Sequence, residues 1–206
     1  MPSEKETKNL IKEICERGDY DKLKDIDVSH IKDFSNLFRS TYTSPNYISS
    51  LEPLRYWNVS NGTNFSHMFQ NCKNIESLEP LRYWNVSNGT NFSEMFNNCL
   101  KITSLEPLRN WDVSNCVNFS KMFEYCYGIE NLEPISNWNV YNCNDFSWMF
   151  NECLNITSFE PIHGWNVSNT TDFFKMINDC SISISKMKPM RNYYNAKNRY
   201  FKPTYP

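Results

Sequence analysis

Five tryptophans set the frame. Trp57, Trp84, Trp111, Trp138 and Trp165 are each separated by 27 residues, with no insertion or deletion between them. Residues 51–66 recur letter for letter as residues 78–93 and return with variation three more times. So strict a register predicts copies of one fixed length that stack on their neighbours. The core then runs as a line, contacts form mainly between adjacent copies, and the chain is expected to be an elongated monomer.

A sixth, degenerate copy precedes these. Residues 26–38 match residues 57–69 position by position, with Ile26 in place of the tryptophan. The four extra residues before Trp57 fall around Ser44-Pro45 and read as a surface loop. Ahead of this copy, residues 3–17 carry Leu10, Ile11, Ile14 and Cys15 as one apolar stripe among charged residues, and Gly18 ends the pattern. This predicts a helix that covers the open end of the array. Beyond Cys180 the repeat fades into a segment with six lysines and arginines, no acidic residue and several tyrosines. Three regions result: an N-terminal capping helix (1–22), a six-copy array (23–180), and a basic, aromatic C-terminal cap or tail (181–206).

Periodicity within a copy predicts its elements. Phe65, Met68, Phe69 and Cys72 follow i, i+3, i+4, i+7 spacing, which predicts a helix of two turns with Thr63-Asn64 as cap candidates. Trp57 and Val59 alternate as in a strand, and Ile75, Leu78 and Leu81 space out an extended segment. Pro80, Pro107, Pro134 and Pro161 lack an N–H, so a hydrogen-bonded strand should end before them. The predicted fold is an α/β repeat solenoid, a leucine-rich-repeat-like stack of short strand, turn and short helix with terminal caps. Asn61, Asn88, Asn115, Asn142 and Asn169 keep their identity at every step, which predicts amides that bond turn backbone across copies. The many Asn-x-Ser/Thr triplets read as turn and cap chemistry rather than glycosylation sites.

Cys72, Cys99, Cys126, Cys153 and Cys180 share the 27-residue register. Neighbouring copies at about 4.8 Å hold equivalent Cβ atoms slightly beyond the ~3.5–4.5 Å of a disulfide. The expectation is a column of buried thiols, with Cys116 and Cys143 forming a shorter one. No Cys-x-x-Cys pair exists and the three histidines are scattered, so no metal site is expected.

A net charge of -2 supplies no global field toward nucleic acid or anionic membrane. No apolar run approaches the roughly 20 residues of a membrane span. The charged first 20 residues lack the pattern of a secretory signal, which favours an intracellular location, with a surface or secreted one if the start is trimmed or export is unconventional.

The run Trp111-Asp-Val-Ser-Asn-Cys-Val-Asn-Phe-Ser-Lys-Met-Phe-Glu-Tyr-Cys126, preceded by Ile102-Thr-Ser-Leu105, resembles the BspA-like leucine-rich-repeat family. That family's motif runs Trp/Phe-Asp-x-Ser-Asn-Val-Thr-Asn-Met-Ser-x-Met-Phe, then a Cys, then a Leu-x-x-Leu strand. The resemblance covers residues 20 to 180. It implies adhesion or protein binding without catalysis, since members are bacterial surface proteins with relatives in protists and giant viruses. Two departures stand out. No export signal or anchor is visible, and Leu-Glu-Pro-Leu-Arg is about one residue longer than the usual form, so the rim should be shaped differently.

Catalysis needs residues that break the symmetry of the repeat, and no histidine stands near a repeat-breaking Ser, Cys or carboxylate. The chain therefore reads as a non-enzymatic protein-protein interaction module without cofactors. Its alternatives are a surface adhesin for host proteins or glycans, and nucleic-acid contact through the basic tail. The candidate partner-binding face holds Arg55, Tyr56, Glu79, Arg82, Tyr83, Glu106 and Arg109, because Arg and Tyr are what protein interfaces are enriched in. Trp148, alone among outward positions, is a second candidate anchor.

Overall fold

The structure, a computed structural model, describes residues 2–42, 48–167 and 171–180. The loop around Ser44-Pro45 lies outside the described residues in part, and Asn169 and the region 181–206 lie outside them altogether. A helix α1 spans Glu4–Arg17. Ser3 caps it, accepting from the Glu6 N–H while the Glu6 carboxylate accepts from the Ser3 N–H, and Gly18 closes it at φ 74°. Ile11 and Ile14 are buried, whereas Leu10, one residue off the stripe's centre, stays 45 % exposed.

The expected α/β copy of strand, turn and helix is not what forms. Among the described residues α1 is the only α-helix, followed by six short 3-10 helices, and the copies pair through isolated parallel bridges rather than a sheet. Residues 65–72 show why. Phe65, His67, Phe69 and Asn71 donate their N–H groups at 2.8–2.9 Å to the carbonyls of Asn91, Ser93, Met95 and Asn97 in the next copy. Between them, Met68, Gln70 and Cys72 donate locally to Phe65, His67 and Phe69, three residues back. A helix would direct every N–H along its own axis, and a two-turn helix is not stable alone. Here half the donors hold the neighbouring copy instead.

Geometrically, residues 65–68 and 69–72 are two successive four-residue turns. The third residue of each, His67 and Asn71, is left-handed at φ 57° and 63°. The same pair of positions recurs as Glu94 and Asn98, Lys121 and Tyr125, Trp148 and Glu152, Lys175 and Asp179. Two turns of period four place Phe, Met, Phe and Cys inward at the spacing that mimics a helical face. Asn64 serves as an Asx turn rather than a helix cap, its Oδ1 accepting the Ser66 N–H at 3.1 Å.

The core consists of columns. Phe34, Phe65, Phe92, Phe119, Phe146 and Phe173 stack ring on ring at 5.2–5.8 Å between centroids. Phe38, Phe69, Phe96, Phe123 and Phe150 form a second column at 5.4–5.8 Å. Gly62 and Gly89 make room for the first column, since a Cβ there would lie 2.4 and 2.3 Å from the Phe65 and Phe92 rings. Where Cys116 and Cys143 take that position, adjacent rings turn by 23° and 26° instead of 2° and 6°.

Polar atoms of the core bond to the preceding copy. Each of the five register tryptophans donates its indole N–H to a carbonyl one copy back, Trp84 to Leu54 at 3.0 Å and Trp111 to Leu81 at 3.1 Å. Each thiol of the long cysteine column donates likewise, Cys99 to Phe69 at 3.2 Å and Cys126 to Phe96 at 3.1 Å. Asn61, Asn88, Asn115 and Asn142 donate to the carbonyls of Ser29, Ser60, Ser87 and Ser114 at 2.7–2.8 Å.

Candidate functional site

The rim is built by the Leu-Glu-Pro-Leu/Ile-x segment that departs from the shorter repeat. Proline in the first turn forbids a ladder donor, and the chain forms 3-10 turns at Glu52–Leu54, Glu79–Leu81, Glu106–Leu108, Glu133–Ile135 and Glu160–Ile162. A 3-10 helix has three residues per turn, so side chains at i and i+3 eclipse. Glu52 therefore meets Arg55, Glu79 meets Arg82, and Glu106 meets Arg109.

All three pairs are two-pronged. Nε and Nη2 of Arg55 donate to the Glu52 carboxylate at 2.8 and 2.6 Å, those of Arg82 to Glu79 at 2.6 and 2.7 Å, and those of Arg109 to Glu106 at 2.8 Å each. The guanidinium hydrogen bonds hold each of these glutamates below the usual carboxylate range, and the carboxylates raise the arginines in return. Each arginine also feels the glutamate of the next copy: Glu79 acts on Arg55, Glu106 on Arg82, and Glu133 on Arg109. Ser136 and His163 occupy the arginine position beside Glu133 and Glu160.

Tyr56 and Tyr83 follow the arginines and stand 89 % and 78 % exposed. Thus the rim positions predicted from sequence lie in one register, with the tyrosines exposed and one edge of each guanidinium, Nε and Nη2, already engaged. Trp148 belongs to a different column, with His67, Glu94, Lys121 and Lys175, all at positive φ.

The sequence reading missed a polar network near that column. Gln70, Asn97, Glu124, Asn151 and Asn178 share one register. Glu124 is 5 % exposed, and its carboxylate accepts from Asn97 at 2.9 Å and from Asn151 at 3.0 Å. Asn178 donates to Asn151 at 3.0 Å, and Gln70 donates to Glu94. Burial pushes the Glu124 carboxyl up, against the amide hydrogen bonds. The signal was legible as one carboxylate in a column of amides.

Among the described residues no three His, Cys, Asp or Glu side chains are grouped to hold a metal ion, and no helix is long and apolar enough to cross a membrane.

A family model described as "Mycoplasma protein of unknown function, DUF285" matches residues 8–130 and 100–198. The chain belongs to this family. The DUF285 matches take in most of α1 and all six copies. No curated protein matches the chain significantly. The description of DUF285 assigns no activity, so membership carries the repeat and not a role.

Proposed function

We propose that this DUF285 chain is a non-enzymatic protein-interaction module whose rim, from Glu52 to Arg109, meets a protein partner. The observation that carries the reading is the pair Tyr56 and Tyr83. Two large aromatic side chains stand exposed at equivalent positions of two segments, residues 51–66 and 78–93, that are identical in sequence, each beside an arginine fixed by its own glutamate. Exposed tyrosines supply contact area with few rotatable bonds, and a pre-ordered arginine loses little entropy when it is covered.

The bidentate pairs alter the expected role of the arginines. Recognition of partner carboxylates through the Nε/Nη2 edge would have to compete with Glu52, Glu79 and Glu106, so Arg55, Arg82 and Arg109 act as a fixed, charge-paired platform beside the tyrosines. The resemblance to BspA-like repeats, which implies adhesion or protein binding, supports the same class. A surface adhesin shares this binding chemistry and differs by location. Contact with nucleic acid through the basic tail would rest on residues 181–206, outside the described residues.

The test is capture from lysate of the source cells by the chain and by Tyr56→Ala/Tyr83→Ala, with captured proteins identified by mass spectrometry. Loss of a specific partner with an unchanged melting temperature supports the rim. Retention of the same partner by the double variant refutes it.

A further inference from the structure

Two columns of polar residues are interrupted by aromatic ones, and the interruptions meet. The left-handed position that holds His67, Glu94, Lys121 and Lys175 in other copies holds Trp148 at φ 60°. The preceding position, serine in Ser66, Ser93, Ser120 and Ser147, becomes Phe174 one copy later. The two rings lie 5.6 Å apart between centroids at 74°, edge toward face. Lys175 places its ammonium 4.4 Å from the Trp148 centroid and 5.7 Å from that of Phe174. A bulky residue at positive φ costs free energy that a polar one there would lessen. The other five tryptophans are buried at 2–5 % exposure with their indole N–H groups bonded to backbone.

We propose that Trp148 and Phe174 form two walls of a binding site for a quaternary ammonium group, with Lys175 as its built-in occupant. Both rings offer the negative potential of their π systems to one point, and a cation already sits there. A primary ammonium keeps a strong hydration shell that opposes full contact with aromatic faces. A methylated ammonium is weakly hydrated, and aromatic walls are what recognise it. A ligand of this class displaces the Lys175 head, whose flexible stem lets it swing into water. The site uses none of the rim residues and stands or falls independently of the protein-binding reading.

The test is titration of the full chain with tetramethylammonium chloride, followed by tryptophan emission, against sodium chloride at equal ionic strength. Trp148 is the one tryptophan of the six that is not buried, so it dominates any response. Lys175→Gln is expected to show a saturable change at several-fold lower concentration than the wild-type chain, because the internal competitor is gone. Lys175→Gln/Trp148→Leu is expected to show none. The proposal is overturned if Lys175→Gln, folded with a wild-type circular dichroism spectrum, responds only as it does to sodium chloride, or if the response survives loss of Trp148. Should Lys175→Gln fail to fold, Lys175→Met retains the aliphatic stem and is read by the same criteria. Co-sedimentation with phosphatidylcholine vesicles, with and without Trp148, separates a lipid headgroup from a soluble source.

Discussion

Lys8 Nζ donates to the backbone carbonyl of Asp33 at 2.7 Å. In the interior of the array the equivalent carbonyls, Asn64 and Asn91, accept from the N–H groups of Phe34 and Phe65 in the copy before. One turn earlier on α1, the Glu4 carboxylate accepts from the N–H groups of Lys32 and Asp33 at 3.1 and 3.2 Å. Their counterparts Thr63 and Asn64 donate instead to the Lys32 carbonyl. Glu4 and Lys8 thus stand in for the acceptor and the donor of a copy that is not there. An unpaired end would otherwise expose a ladder edge.

Removing the acceptor tests that role. Glu4→Ala is expected to cost about 1–2 kcal/mol, as loss of hydrogen bonds to a charged acceptor. Amide exchange at Lys32 and Asp33 should accelerate, while Thr90 and Asn91, which bond to Thr63, stay protected. Uniform acceleration along the chain would mean that the helix supports the array only by covering apolar surface.

Phe96 lies fully buried between Phe69 at 5.6 Å and Phe123 at 5.8 Å. Phe96→Ala is expected to cost roughly 3–5 kcal/mol in urea unfolding. Because neighbouring copies share the column, Phe69→Ala and Phe96→Ala should be non-additive.

The tryptophan register made the copies, the core columns and the cross-copy Asn61 bonds legible, and the apolar stripe of Ile11 and Ile14 did the same for α1, since each depends on side-chain identity at a fixed interval. Element type within the copy was not. Phe65, Met68, Phe69 and Cys72 satisfy a helical face and a pair of four-residue turns equally, and what decides between them is that half the N–H groups bond to another copy. Sequence spacing carries no record of that. At the rim, the Glu and Arg columns are visible in the sequence, but their two-pronged closure follows from a 3-10 turn where the spacing of Ile75, Leu78 and Leu81 suggests extended chain. Trp148 stood out, and Lys175, one register later, was the available clue to its neighbour.

Glu124 links stability to pH. Its carboxyl is raised in the folded state by burial. Its favourable contribution is therefore present below the unfolded carboxylate range and is lost as pH rises through the folded value. Melting temperature should fall over that window as pH increases from acid toward neutral. Glu124→Gln should flatten that segment of the profile, with Asn97 turning its amide to present the carbonyl. A profile unchanged by the substitution would assign the pH dependence elsewhere.

The cysteine column should resist labelling. Burial pushes the Cys126 thiol up to about 12 and raises Cys72, Cys99 and Cys153 as well. Alkylation at neutral pH without denaturant is expected to be slow for all four, since the thiolate is the reactive form. Fast modification of several of them would show that the copies separate in solution.

Lys121 distinguishes the turn-built copy from a helical one most directly. It stands at φ 56°, and its N–H donates across to the Ser147 carbonyl at 2.8 Å. In a left-handed position, Lys121→Gly should be more stable than Lys121→Ala by about 1 kcal/mol, because only glycine adopts that conformation without strain. In a helix the order reverses, with glycine less stable than alanine by about 1 kcal/mol. Urea unfolding of the two variants side by side gives the sign: glycine above alanine is the expected outcome, and alanine above glycine would restore the helix and remove the basis for a stack held by backbone bonds between copies.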